Sequence, residues 1–399
     1  MVKKIVGITV VILLLAYFVT LILHVSAHDD QYLWDFRTHR EAGKIMASGS
    51  NPYDADILFP KARTRFLYTY PPATLFFYRL LALPDYKTAF HIFLIAKFVL
   101  LIGLVYFWQR EFVGQAGNPL FYVFCLLAFN GSVFLDMIAG NINLVQQALL
   151  WLGFSFYIKG RYGLFCLFTL TAASFKMTPI FFLILMLLPD DRDKYKYFFG
   201  AGAIFLAYLL IQYLLVPDLF TGFIKNALIV VGEKGGVVPS TNKMIAGIFE
   251  IFSKISGLTP PKALATTIFI LIAAAVVIFS YQACRRLRVK KMAGRAMLEV
   301  FMVCLVYALI HPRFKDYGYI LLLVPSYCLI QNIRYTKIAP VLFVLFIMSN
   351  RMMLPIVSAI YDIVWAYYPL MVAYGVWGIY LYEIFSASGA APGAQAPGT

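Results

Sequence analysis

Apolar runs close to the length of a bilayer crossing recur along the whole chain, and no other feature constrains its fold as strongly. They fall at roughly 5–27, 88–108, 118–137, 142–158, 162–174, 177–188, 196–215, 263–283, 295–310, 317–331, 337–349 and 363–385. In lipid no water is present to satisfy a backbone N–H or C=O, so a spanning segment must bond internally, as a helix or within a closed barrel. Runs of about 20 apolar residues suit helices. The chain is therefore expected to be an all-α polytopic membrane protein. Composition agrees: 62% of residues are hydrophobic and 13% charged, against about 45–50% and about 25% in soluble domains.

The net charge is +15. In a chain of this class the excess does not point to nucleic acid. Lys and Arg gather in cytoplasmic loops and set orientation, and part of the excess can serve anionic lipids or phosphate. Lys3-Lys4 places the N-terminus in the cytoplasm, and the run after it is expected to remain as an uncleaved first helix, since it is long for a signal peptide. Four short basic segments read as cytoplasmic: Lys159-Gly160-Arg161, Arg192 to Lys196, Arg285 to Arg295 and Arg334 to Lys337.

Parity then requires one of the apolar pieces before Lys159 not to cross. The segment 73–83 is the shortest of them and follows Pro71-Pro72, so it is expected to dip into the membrane or lie at its interface. About twelve crossings result, in a single membrane domain over 1–388. Four polar segments fall together on the outside: 28–72, Gly140-Asn141-Ile142-Asn143, the long loop 216–262, and His311 to Tyr317. Lys176 lies near the same face. The Gly/Ala/Pro-rich tail 389–399 is expected to be disordered and cytoplasmic. The five cysteines are scattered, with no CxxC or Cys/His cluster, so neither a metal site nor a disulfide framework is expected.

The insert 28–72 is the most informative stretch. Residues 36–48 are expected to form a short amphipathic helix at the interface, with Arg37, Glu41 and Lys44 on its polar face. Asp35, just ahead of it, has two readings: an N-cap accepting orphan backbone N–H groups, or a base at the end of the first membrane helix. Asn51-Pro52-Tyr53-Asp54 reads as a turn with φ fixed by proline. Tyr68-Thr69-Tyr70-Pro71-Pro72 reads as an aromatic rim or an interfacial aromatic belt. Asn141 and Asn143 could bond a ligand or cap the helix that follows. The loop 216–262 is Gly-rich at Gly235-Gly236 and reads as a mobile flap or a plain surface loop.

Taken together these motifs resemble the GT-C glycosyltransferases, and within them the polyprenol-phosphate-mannose-dependent family that includes the phosphatidylinositol-mannoside mannosyltransferases. The resemblance rests on Asp35-Phe36, Gly49 to Asp54, Tyr70-Pro71-Pro72, Gly140 to Leu144, Phe175 to Pro179 and the polar segment His311 to Tyr317. This chain has Gly140-Asn141 where the family often has Gly-Gln. It has His311-Pro312-Arg313 where Ser-Pro-x-Ser-Trp is common.

The resemblance implies a GT-C fold and a membrane hexosyltransferase, with mannose first among the sugars. The donor is a polyprenyl-phosphate-linked sugar, the acceptor a lipid or glycan, and the active site faces the periplasm or cell exterior. It also implies Asp35 as general base, inversion at the anomeric carbon, and no metal or other cofactor. Donor-phosphate contacts fall to Arg313, Lys315, Lys176, Arg37 and Arg40, with His311 orienting the base or binding phosphate. Sugar or acceptor contacts fall to Asn141, Asn143, Tyr70 and Asn51. Asp316 is a rival base. A flippase for a lipid-linked glycan is the competing class, but such proteins often show repeated halves, and no repeat is visible. A structural or assembly subunit accounts for neither Lys176 nor Asp35.

Overall fold

The computed structural model describes residues 31–114, 118–188, 193–230, 238–258, 260–292, 294–332, 338–347 and 366–386, with scattered positions between 9 and 28. Most of the first apolar run, Gly235-Gly236, Arg192, Arg334 to Lys337 and the tail 389–399 lie outside these residues. Among the described residues every regular element is a helix. The chain forms two compact units, one of residues 1–107 and 135–233, the other of residues 108–134 and 234–399.

In the first unit, helix α1 spans Trp34–Ala47, close to the amphipathic helix expected over 36–48. Its start is fixed from outside: Leu33 is left-handed (φ 53°) and its N–H donates to the Ile138 carbonyl at 2.8 Å. Helix α2, Ala55–Ala62, is capped by Asp54, whose carboxylate accepts from the Asp56 N–H at 2.9 Å. Helix α3, Ala73–Leu81, has nine residues, about 14 Å at 1.5 Å per residue, under half the roughly 30 Å hydrocarbon core. It buries Thr74, Leu75 and Tyr78 and exposes Phe76, Phe77 and Leu80. Where α1 crosses α3, a Cβ on Gly43 would stand 2.7 Å from backbone atoms of Tyr78 and Arg79. Only glycine permits that approach.

The insert folds around tyrosines. Tyr53, Tyr68, Tyr70 and Tyr78 form a core with Leu58, Leu75, Ile142 and Phe223. A phenol buried in such a core usually takes a polar partner. Tyr53 Oη donates to the Tyr70 carbonyl at 2.6 Å, and Tyr68 Oη bonds Thr74 Oγ1 at 2.5 Å. Burial pushes both phenols above the usual tyrosine range, so they stay protonated.

Helix α4 spans Tyr86–Trp108 and runs on as a π-turn over Gln109–Val113. Helix α5, Pro119–Ala139, is broken: Phe129, Asn130 and Gly131 are left-handed, with φ of 52°, 59° and 66°. A break inside a membrane segment is tolerated where protein buries it, and Ala128, Phe129 and Ser132 are buried. Helices α6 (Asn143–Ile158) and α7 (Tyr162–Phe175) follow, then a 3₁₀ segment Thr178–Leu187, α8 (Asp193–Leu215) and α9 (Pro217–Val230). Two side chains from this region fasten the insert. Gln212 Oε1 accepts from the Ala73 N–H at 2.8 Å, and Asn226 Nδ2 donates to the carbonyls of Tyr53 and Tyr68 at 2.9 and 3.1 Å.

The second unit holds α10 (Thr241–Ser256), α11 (Lys262–Val289), α12 (Arg295–Ile310), a 3₁₀ segment Asp316–Leu322, α13 (Leu323–Asn332), α14 (Ala339–Ile347) and α15 (Tyr368–Ser386). Residues ahead of α10 are tied to the 309–319 region. Ser240 Oγ donates to the Pro312 carbonyl at 2.8 Å and Tyr319 Oη to the Pro239 carbonyl at 2.6 Å.

Among the described residues four helices are long and apolar enough to cross a membrane: Tyr86–Val113, Pro119–Ala139, Asp193–Leu215 and Ala263–Val289. Several other apolar runs form shorter helices. The run 317–331, for example, is divided between a 3₁₀ segment and α13.

Candidate active site

The N-terminal turn of α1 carries Asp35 as its second residue, so Asp35 is not the cap. The cap position is Leu33, and no side chain caps the helix. The half-buried Asp35 carboxylate instead accepts a hydrogen bond from Asn141 Nδ2 at 2.7 Å. The same amide nitrogen donates to Tyr70 Oη at 3.3 Å, and Asn141 Oδ1 accepts from the Asn143 N–H at 3.0 Å. The amide orientation follows from these partners, since a carboxylate can only accept. Asp35, Tyr70, Asn141 and Asn143 therefore form one connected group, and Tyr70, Asn141 and Asn143 are buried.

Gly140 makes the approach possible. Its φ is +68°, and a Cβ there would stand 2.6 Å from Leu33 Cδ2 and 2.9 Å from Phe36 Cβ. Glycine alone combines that backbone angle with that proximity.

Behind Asn141 lies a charged pair that hydropathy reading passes over. Lys97 of α4 and Asp136 of α5 are both buried, with Nζ 2.7 Å from Asp136 Oδ2. The ammonium also donates to backbone, to the carbonyls of Asp136 at 2.6 Å and Asn141 at 2.8 Å. Asp35 is within electrostatic reach of both charges, and Lys176 acts on Asp136. The available signal was one Lys and one Asp in successive apolar runs.

The other residues expected in the site have these surroundings. Arg40 is buried, ion-paired to Glu41 at 2.9 Å and bonded to the Pro84 carbonyl at 2.5 Å. These contacts hold its guanidinium against α1 and the residues that follow α3. Glu41 takes Arg40 and Lys44 as ion-pair partners. Arg37 Nε reaches Tyr86 Oη at 3.4 Å. Asn51 Oδ1 accepts from the Tyr53 N–H at 2.9 Å, so it builds the turn that orients Tyr53. Lys176 follows α7 in extended conformation.

Within the second unit, His311 Nδ1 accepts from the Arg313 N–H at 3.1 Å, so in the neutral ring Nε2 carries the proton. His311 also packs on Tyr307 and Phe314. Lys315 Nζ sits 5.8 Å from the Tyr317 ring centroid. Burial pushes the Asp316 carboxyl up to about 7. Among the described residues no three His, Cys, Asp or Glu side chains gather as metal ligands.

The sequence model of glycosyltransferase family 87 matches residues 68–312. The chain belongs to glycosyltransferase family 87. No curated protein matches it, and no solved structure does. The family 87 match contains Tyr70, Lys97, Asp136, Asn141, Asn143, Lys176 and His311. Asp35 lies ahead of it and joins through its bond to Asn141. As a family 87 protein the chain is a glycosyltransferase, acting on a sugar donor and an acceptor, and its four long apolar helices mark it as a membrane protein.

Proposed function

We propose that the protein transfers a hexose, mannose first among the candidates, from a polyprenyl-phosphate carrier to a lipid or glycan acceptor on the extracytoplasmic face. The scaffold in this reading is a GT-C fold of about twelve crossings. The observation that carries it is the Asp35–Asn141 bond. A carboxylate freed from helix capping, held by a charge-assisted bond, and half-buried in a glycosyltransferase is suited to act as general base.

Asp35 takes the proton of the acceptor hydroxyl. The acceptor oxygen forms a bond to C1 of the sugar as the C1–O bond to phosphate breaks, and the polyprenyl phosphate leaves with the electron pair. One displacement inverts C1, so a β-linked donor gives an α-linked product. The leaving phosphate needs charge stabilisation more than a proton, which is the role of the cationic candidates Lys176, Arg37, Arg313 and Lys315. The His311 Nε2–H is a further donor for it. Tyr70 and Asn143 remain candidates for the sugar or acceptor, and no metal takes part.

The test is transfer of label from radiolabelled polyprenyl-phosphate-mannose to native membrane lipid by purified protein in EDTA, compared with Asp35→Asn. Labelled lipid from the wild type alone is expected. Equal turnover by Asp35→Asn removes Asp35 as base. Transfer only from another carrier-linked sugar changes the donor.

A further inference from the structure

The hydrogen bonds of Lys97 go to two carbonyls five residues apart, those of Asp136 and Asn141, which bracket the turn between α5 and α6. Asp136 supplies the counter-charge at 2.7 Å. We propose that Lys97 is a positioning residue: its amine clamps the 136–141 turn and so holds the Asn141 amide against Asp35, with Asp136 as its counter-charge. The consequence for catalysis rests on the reading of Asp35 as base. The clamp itself does not.

Asn141 is gripped at both ends. Its carbonyl is held by Lys97, its amide nitrogen by Asp35 and Tyr70, and its amide oxygen by the Asn143 N–H. Releasing the carbonyl loosens the Asn141–Ile142 peptide, and with it the backbone that carries the Asn141 side chain. Because Lys97 and Asp136 carry opposite charges within reach of Asp35, removing both together leaves the field at Asp35 little changed. The effect that remains is geometric.

Lys97→Met alone would strand a buried carboxylate, so the informative variant is Lys97→Met/Asp136→Asn. Hydrogen exchange should accelerate at least about tenfold at the Asn143 N–H, with exchange in α1 unchanged. With the polyprenyl-phosphate-mannose donor, kcat should fall about 10- to 100-fold, the scale of a roughly 1 Å misplacement, while KM stays within about twofold. Asp136→Asn alone keeps an amine that donates to both carbonyls, charged or neutral, and should return Asn143 to near wild-type protection. Unchanged exchange at Asn143 in the double variant overturns the clamp, as does equal loss of protection in Asp136→Asn. A retained kcat, or a rise in KM alone, overturns the positioning role. If the wild type transfers nothing from this donor, the reading of the site is what fails. Exchange at Asn143 then decides the clamp by itself.

Discussion

Replacing Gly140 by alanine should separate backbone strain from steric exclusion at the heart of the site. Two costs arise. The left-handed φ of +68° costs an L-residue about 1–2 kcal/mol. The new Cβ would also sit 2.6 Å from Leu33 Cδ2 and 3.1 Å from Leu33 Cα, inside van der Waals contact, and overpacking of this kind costs about 1–3 kcal/mol. Gly49 supplies the control: its φ is +79°, and a Cβ there meets nothing within 4 Å. Gly49→Ala carries the strain without the clash. The difference between the two variants should be about 2 kcal/mol, or roughly 4–8 °C in apparent melting temperature for a compact unit of this size. Thermal unfolding of both purified variants in the same detergent reads it. Gly140→Ala should also lose transfer activity, because relief of the clash pushes Leu33 and Phe36, and Asp35 between them, away from Asn141. Equal melting temperatures for the two variants would refute the close approach of α1 to the 140–141 turn.

Other expectations can be checked in the same preparations. Asn141→Ala should lower kcat by about 10- to 100-fold through loss of orientation at Asp35, with little change in donor KM, read by initial rates. Asn226→Ala removes the donor shared by the Tyr53 and Tyr68 carbonyls. Leaving buried carbonyls unpaired should cost about 1–3 kcal/mol, read as a lowered melting temperature. Asp316 has its carboxyl raised to about 7, so the folded state holds its proton longer than the unfolded chain. Stability should therefore fall as pH rises from about 4 through 7, and Asp316→Asn should flatten that slope in melting curves taken across the range.

Much of the architecture was legible because period and length report directly on what lipid permits. The α1 helix, the turn at Asn51 and the short segment after Pro71-Pro72 all follow from local chemistry. So does the candidacy of Asp35, Tyr70 and Asn141, polar groups set beside apolar runs. What stayed hidden was tertiary. Asp35 looked like a cap because the helix appeared to begin at Phe36. The helix begins at Trp34 because the Leu33 N–H finds the Ile138 carbonyl, a partner about a hundred residues away that no local rule supplies. The burial of Arg40 depends on Glu41 and on Pro84 beyond the end of α3. Lys97 and Asp136 vanish into window averages, since one charge hardly moves the mean hydropathy of twenty apolar residues. The break in α5 was spelled by Asn130-Gly131, but in so apolar a run the helical reading prevailed.

The buried pair also bears on how the chain enters the bilayer. Lys97 sits near the middle of a 28-residue apolar helix, where a lone cation costs about 2.5–3.5 kcal/mol on insertion scales. Its counter-charge arrives only with the next long helix. During synthesis α4 thus has reason to linger beside the insertion machinery until α5 emerges and the two can partition as a neutral hairpin. A residue that steadies a turn in the finished protein would, in the nascent one, set the order in which its helices leave the translocon.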